Sequence, residues 1–238
     1  MSIVALDYPS AKLNLDVDTP VEKEWRAMAC FKEPWTVSFI DAIPVGAAFW
    51  DIGANVGPYS LIAGWRGLST IAVEPGYANY YKLCRNLAMN NLLERVTAIL
   101  GAIGGDQPHF DWFNYADLMA GGAGHILGGK YREFFHRQRV MVWPLDFLLQ
   151  VQVGDVPRYL KIDVDGNEQA VLEGGVETLK DEATRSIMIE GNREKSEADI
   201  TKVLTGYGFK LAGRFDKRTQ PDGRVTGIGD TVYLHFVR

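Results

Sequence analysis

The sequence predicts an α/β fold, one doubly wound domain. Three observations support this. Apolar strand-like runs alternate with amphipathic helical stretches along most of the 238 residues. The first clear run, Phe49-Trp50-Asp51-Ile52, passes through the Gly-rich turn Gly53-Ala54-Asn55-Val56-Gly57 into a helical pattern that opens at Pro58. The last two strand-like runs close the chain as a hairpin.

The elements follow in order. Residues 1–30 carry short strand-like pieces, Lys12–Val17 among them, with no sustained period. A helix is expected over Pro34–Ala42, broken by Pro44-Val45-Gly46. Strand one is Ala47–Ile52. The helix after it begins at Pro58, a residue favoured in a first helical turn, and puts Leu61, Ile62 and Trp65 on one face before Gly67 stops it. Thr70–Val73 reads as a buried parallel strand that runs into Glu74-Pro75-Gly76. Tyr77–Met89 is an amphipathic helix, and Val96–Leu100 is the third strand. From Gly101 to Arg139 the periodicity is lost. This stretch holds Gly121-Gly122, Gly124, Gly128-Gly129 and three of the four histidines, and is expected to be a long irregular loop of functional use. Regularity returns at Val140–Trp143 and Leu145–Leu149. There follow a strand Tyr159–Val164, a helix Glu168–Lys180, a strand Ser186–Glu190, a helix Ser196–Tyr207, and strands Lys210–Phe215 and Thr231–Val237.

Composition narrows the function. With 47% hydrophobic and 23% charged residues and a net charge of −5, the chain reads as a soluble globular protein with no electrostatic reason to bind nucleic acid or an acidic membrane. Cys30 and Cys84 lack CxxC spacing, so neither a disulfide framework nor a zinc site is indicated. The start lacks a basic and apolar leader, and the charge-free stretch Ile52–Trp65 is too short and too Gly/Pro-broken to span a bilayer. The expected location is cytoplasmic. Nothing in the sequence bears on oligomeric state.

Ligands of open α/β sheets bind outside the carboxyl ends of the strands. Three strands here end in acids: Asp51, Glu74 and the Asp163/Asp165 pair. Glu74 stands 17 residues after Gly57, placed to accept hydrogen bonds from both hydroxyls of a ribose. The glycines of the turn let the backbone approach a ligand, and the first N–H groups of the helix are expected to face it. The turn spells Asp-x-Gly-x-Asn-x-Gly rather than GxGxxG. An acid before the turn suits a cationic, amino-acid-bearing ligand better than a diphosphate, which points to S-adenosylmethionine.

Asp51–Gly57, Ala72-Val73-Glu74-Pro75, and Leu160-Lys161-Ile162-Asp163-Val164-Asp165-Gly166-Asn167-Glu168 followed by Val171-Leu172-Glu173-Gly174 together resemble the FkbM-type methyltransferases. Lys32-Glu33-Pro34-Trp35-Thr36 is similar to a segment that some members carry before the first strand. Asp165 stands where that family more often has Glu, one methylene longer. The resemblance implies a Rossmann-like, seven-stranded mixed sheet with an antiparallel last strand. It also implies methyl transfer from S-adenosylmethionine to a hydroxyl, commonly of a sugar or a polyketide-type natural product, so the expected partner is a small-molecule or glycan acceptor. Residue by residue, Asp51, Gly53, Ala54, Asn55 and Gly57 would surround the methionine part and the ribose. Glu74, with Pro75, would hold the ribose hydroxyls, and Asp163 would lie by the methyl group. Topology adds Ala102 and Ile103 beside the adenine. Residues 1–40 are expected to cap the acceptor side of a domain spanning 41–238, with 104–139 as a lid or acceptor-recognition insertion.

An alcohol oxygen attacks well only as its proton leaves, so a base is expected. Asp163, Asp165, Glu168 and Glu190 are candidates by position, and His109, His125 and His136 by intrinsic pKa. An acid at the Asp163 strand end ranks first and a loop histidine, His125, second. Against these stand plainer readings. Asp163 and Asp165 would also serve as a loop-stabilising pair, and Glu168 as a first-turn acid complementing a helix dipole. The Asp163/Asp165/Glu190 set has the oxygen chemistry Mg²⁺ prefers, but no feature demands a metal. Trp112, Phe113 and Tyr115 are the aromatics best placed to stack on a sugar. Methylation of a nitrogen or a carboxylate, and a non-catalytic cofactor-binding module, are the alternatives.

Overall fold

The computed structural model describes residues 2–128, 136–219 and 225–238. The chain opens with a hairpin, β1 (Ser2–Ala5) and β2 (Asn14–Val17), then a π-helical turn over Glu22–Arg26 and two helices, α1 (Ala29–Lys32) and α2 (Pro34–Ala42). Next come β3 (Ala48–Ile52), α3 (Pro58–Trp65), β4 (Ser69–Glu74), α4 (Tyr77–Met89) and β5 (Val96–Leu100). Four further strands follow: β6 (Ala102–Ile103), β7 (His109–Tyr115), β8 (Ile126–Leu127) and β9 (His136–Trp143). The second half contains α5 (Leu145–Gln150), β10 (Tyr159–Ile162), α6 (Glu168–Glu173), α7 (Val176–Lys180), β11 (Ser186–Asn192) and α8 (Glu197–Gly206). Last are β12 (Lys210–Phe215), a short hairpin of β13 (Lys217–Thr219) and β14 (Val225–Gly227), and β15 (Thr231–Val237).

Seven of these strands form the main sheet, in the order β12-β15-β11-β10-β3-β4-β5. The last strand, β15, runs antiparallel to both its neighbours, and the remaining pairings are parallel, as the sequence implied. β3 is buried along its whole length and alternates between two cores. Phe49 faces the layer built with α2, α3 and α4, and Trp50 the layer that includes Leu145, Val171 and Leu204. From β3 the chain winds to β4 and β5 on one side and later to β10 and β11 on the other. Strand order therefore reverses between β3 and β10, where an open α/β sheet places its ligand crevice.

The first thirty residues are tied down by polar contacts. The Asn86 side chain of α4 accepts from the Asp16 amide at 2.8 Å and donates to the Val56 carbonyl at 2.8 Å, linking the first hairpin to the turn after β3. Lys82 Nζ lies 3.2 Å from Asp16 and 2.7 Å from Asp18, and Arg85 Nε 2.6 Å from Asp16.

Three expectations are corrected. The segment from Gly101 to Arg139 is not an irregular loop: β6, β9, β7 and β8 form a second sheet of four strands. Its strands are separated by Gly-rich connections that hid them from a periodicity count, and Gly129 lies outside the described residues. The helix expected over Glu168–Lys180 breaks at Gly174-Gly175 into α6 and α7. There the backbone packs so tightly that a Cβ on Gly174 would stand 2.3 Å from the Gly105 carbonyl oxygen. The strand expected to reach Val164 ends at Ile162, since Asp165 adopts φ 53° and turns the chain away.

Asn86→Ala would leave a buried N–H and a buried C=O without partners. It is expected to lower unfolding free energy by about 2–4 kcal/mol, measured by urea denaturation; a midpoint matching the wild type would show that the hairpin is not held through this side chain.

Candidate active site

The turn after β3 is held by its own backbone bonds. The Gly53 and Ala54 amides donate to the Val73 carbonyl at 2.9 and 3.0 Å, and the Gly57 amide to the Ala54 carbonyl at 2.9 Å. The Asn55 amide donates to Glu74 Oε2 at 2.9 Å, and the Val56 amide to Asn55 Oδ1 at 2.9 Å. All five of these turn amides, which precede the first turn of α3, are engaged within the protein. Gly53 is required twice over. Its φ is +84°, and a Cβ there would lie 1.8 Å from the Asp163 carbonyl oxygen, so the turn after β3 and the end of β10 touch backbone to backbone. Gly57, at φ +90°, precedes α3 and abuts Leu83.

Asp51 is fully buried and points away from the crevice. It accepts from Ser60 Oγ at 2.7 Å and pairs with Lys161 Nζ at 3.2 Å. Lys161, on β10, pairs on its other side with Asp163 at 3.3 Å and lies over the Tyr59 ring. Burial pushes the Lys161 ammonium down, but the charges of Asp51 and Asp163 outweigh it and hold it above the ordinary lysine range. Asp163 shows the converse. Burial pushes it up, yet Lys161, Lys32 and a hydrogen bond with Glu190 hold it below the usual carboxylate value. Glu190, on β11, is raised well above its ordinary value by burial and then by the Asp163 charge. The two shifts run in opposite directions, so of the pair Glu190 is the one that holds a proton to the higher pH. Asp165, although exposed, is raised by partial desolvation at the cavity mouth and then by the Asp163 charge, and accepts from the Gly124 amide at 2.9 Å.

Asp163, Asp165 and Glu190 open onto one cavity of about 470 Å³ at the carboxyl ends of β3, β4, β10 and β11. Gly53, Asn55, Glu74, Pro75, Ala102, Ile103, His125, Asp163, Asp165 and Glu190 line it, whereas Asp51, Ala54 and Gly57 shape the turn from behind. Glu74 is buried and accepts from the Gly76 amide at 2.9 Å and the Asn79 side chain at 3.3 Å besides Asn55. Burial pushes its carboxyl up to about 7, against those donors. The 121–124 stretch closes on the turn: Asn55 Nδ2 donates to the Gly122 carbonyl at 2.8 Å, and Arg26 Nε to the Gly121 carbonyl at 2.8 Å.

His125 is placed as a wall residue. Its Nδ1 accepts from the Ala116 amide at 3.2 Å, its ring packs on Phe113 and Tyr115, and burial lowers its pKa. With the acceptor nitrogen occupied, the neutral ring has no free lone pair for a substrate proton. His109 and His136 are exposed on the second sheet and do not line the cavity. Trp112 lies between the guanidinium groups of Arg137 and Arg139, and of the three suggested stacking aromatics only Phe113 reaches the wall. Glu168 accepts from the Gly166 amide at 3.0 Å in the first turn of α6, its plainer reading. Sequence reasoning missed Lys161 as a pairing group, and Arg26, Lys32, Tyr233 and Arg218 as cavity residues. Lys161 alone carried a signal, an ionisable residue inside an apolar strand. Among the described residues no group of three His, Cys, Asp or Glu side chains is arranged to hold a metal ion.

The profile of the methyltransferase FkbM domain matches residues 51–211, more than half of the chain. This chain belongs to the FkbM methyltransferase family. The match takes in the turn after β3, Glu74, and the Lys161–Asp165 strand end that line or frame the cavity. No curated protein matches it. Among solved structures, it is similar to the C-terminal domain of precorrin-6Y C5,15-methyltransferase from Rhodobacter capsulatus, at 18% identity over 86% of this chain and 89% of that one, with a TM-score of 0.54. The precorrin-6y C5,15-methyltransferase of Geobacter metallireducens is 13% identical over 87% and 86%, with a TM-score of 0.52. A protein titled precorrin 8W decarboxylase, from Methanobacterium thermoautotrophicum, is 12% identical over 98% and 96%, also at 0.52. At such identities these likenesses speak for the fold alone.

Lys161→Met would strand Asp51 as a fully buried charge and leave the half-buried Asp163 without its lysine partner. A loss of about 3–5 kcal/mol in unfolding free energy is expected, read by denaturant titration. Wild-type stability would mean that the three groups are not coupled.

Proposed function

We propose that this family member is an S-adenosylmethionine-dependent O-methyltransferase whose acceptor is a hydroxyl of a sugar, a glycan or a polyketide-type natural product. The observation that carries the reading is the joint placement of Glu74 and the Asp163–Glu190 pair on the wall of one cavity. We place its activity in the cytoplasm and expect no nucleic-acid partner; no helix among the described residues is long and apolar enough to cross a membrane.

The residues suit that cofactor. A carboxylate offers about four lone-pair positions, and Glu74 fills three, the longest with Asn79 at 3.3 Å. One position is open to a ribose hydroxyl, and the Asn79 contact is the one a second hydroxyl would displace. Ala102, Ile103, Phe113 and Leu127 make an apolar wall for a purine. Asp163 and Asp165 supply negative charge for a sulfonium and an amino group. The turn amides, all engaged, offer no cradle for a diphosphate, which sets this site apart from a dinucleotide one.

When bound, S-adenosylmethionine supplies a methyl group on a sulfonium, an electrophile that needs no further activation. The protein's task is to align the acceptor oxygen, exclude water and take up one proton. Ionised Asp163 is the proton acceptor available at neutral pH, and Glu190 beside it makes the acid pair, rather than a single carboxylate, the proton store. His125 has no free lone pair for that role. The 104–139 insertion contributes Gly122, Ala123, His125 and Leu127 to the cavity wall, in keeping with acceptor recognition or a lid, and residues 1–40 contribute Trp25, Arg26 and Lys32.

Calorimetric titration with S-adenosylmethionine tests the cofactor directly; folded protein that does not bind it overturns the reading. Only ionised Glu74 accepts both ribose hydroxyls, and its carboxyl titrates at about 7. Affinity is therefore expected to fall as the pH drops from about 8 to about 6. Glu74→Gln should bind about 1–3 kcal/mol more weakly and lose that pH dependence. A variant that keeps wild-type affinity and pH profile would remove Glu74 from the ribose site. Asp163→Asn and Glu190→Gln are each expected to lower kcat by about a hundredfold or more, measured with labelled cofactor. Full turnover in both would exclude the acid pair as proton acceptor and favour a carboxylate acceptor that needs no base.

A further inference from the structure

One cationic side chain on the cavity wall has no hydrogen-bond or ion-pair partner among the described residues. Arg218, on β13, lines the cavity, and its Nε is buried with no hydrogen-bond acceptor. Among the described residues it makes no ion pair. Arg66 Nε is also buried without an acceptor, but Arg66 pairs with Asp41 and the Ile43 carbonyl and lies off the cavity. Arg214, four residues before Arg218, is bound at 2.6 and 2.9 Å by Glu197 and at 2.7 Å by Asp216. Arg238 donates to four backbone carbonyls. A guanidinium N–H that is buried and unmet is a costly arrangement, and it points to an acceptor atom that a ligand supplies.

The charges of the cavity are also sorted. Its acids, Glu74, Asp163, Asp165 and Glu190, stand at or just beyond the carboxyl ends of β4, β10 and β11. Arg218 belongs to the β13–β14 hairpin, with Gly227, Ile228 and Thr231 beside it on the wall. Two other cations border the same space but are already committed. Arg26 gives its Nε to the Gly121 carbonyl, and Lys32 is 2.7 Å from Glu33. A neutral polyol would satisfy the acids and leave Arg218 unmet.

We propose that the methyl acceptor is an acidic hydroxyl compound, and that Arg218 binds its carboxylate or phosphate group while the hydroxyl to be methylated faces the acid pair. A guanidinium presents parallel N–H groups whose spacing matches either oxyanion, so both sources of the negative charge share one recognition chemistry. The Nε–H is one prong of that fork. The inference rests on reading the cavity as a methyl-transfer site.

The test uses the 238-residue chain saturated with S-adenosylhomocysteine, the demethylated form of the cofactor. Three probes are titrated by calorimetry: methyl glucuronide, glucose 1-phosphate and the neutral methyl glucoside. An acidic probe is expected to bind at least about tenfold more tightly than the neutral one, and less so as salt is raised. Which acidic probe prevails distinguishes a carboxylate from a phosphate. Arg218→Met should abolish the preference without changing the affinity for S-adenosylhomocysteine, and Arg218→Lys, which restores charge but not the fork, should recover part of it. Equal binding of all three probes, no saturable binding of either acidic one, or a preference that survives in Arg218→Met overturns the proposal. Failure of S-adenosylhomocysteine to bind, with an Arg218-dependent acidic preference intact, would instead strike the methyl-transfer reading and leave the anion site standing.

Discussion

A buried ammonium between two carboxylates organises this molecule. Lys161 stands 3.2 Å from Asp51 and 3.3 Å from Asp163, on neighbouring strands at the point where the sheet reverses its winding. None of the three charges would be tolerable there alone, because desolvation would cost more than any one pairing returns. Together they fasten the floor of the turn after β3 to the end of β10. They also set the state of the chemistry above. Lys161 holds Asp163 low, and the Asp163 charge adds to burial in raising the neighbouring Glu190. The ion triad thus links fold stability and acid–base behaviour through one atom, Lys161 Nζ.

The second constraint is how the turn after β3 uses its amides. In a phosphate-binding loop these N–H groups are left for the ligand. Here they are satisfied by Val73, Ala54, Asn55 and Glu74. A ligand at this turn therefore meets side chains and carboxylate oxygens, a surface suited to hydroxyls and cations. Glu74 serves both purposes, since it bonds the turn amide of Asn55 and faces the cavity. The cost of its burial shows in a carboxyl that titrates near neutrality, at about 7.

Around this centre the chain adds two β-structures outside the main sheet. The four-stranded sheet of β6 to β9 brings Phe113, His125 and Leu127 to one part of the cavity, and the β13–β14 hairpin brings Arg218 to another. The acids of the cavity wall thus come from the main sheet, and Phe113, His125, Leu127 and Arg218 from additions to it.

The doubly wound order, the antiparallel β15, the turn after β3 and the acids at the strand ends were legible in the sequence, because local physics writes them there. A buried parallel strand needs a continuous apolar run, and a tight strand–helix turn needs glycine at positive φ, as Gly53 and Gly57 show. Only the tertiary structure decided where the strand-end acids point. Asp51 turned inward to Lys161, and Asp163 met Glu190 from a different strand, since ion pairing across strands leaves no mark on either segment alone. His125 looked like a base by its intrinsic pKa, yet a backbone amide from nine residues away fills its lone pair. Arg218 stood in an unremarkable polar stretch and became notable only through what surrounds it. Periodicity and turn chemistry act over a few residues and are written in the sequence; partner choice for a buried charge acts through space, and only the folded chain decides it.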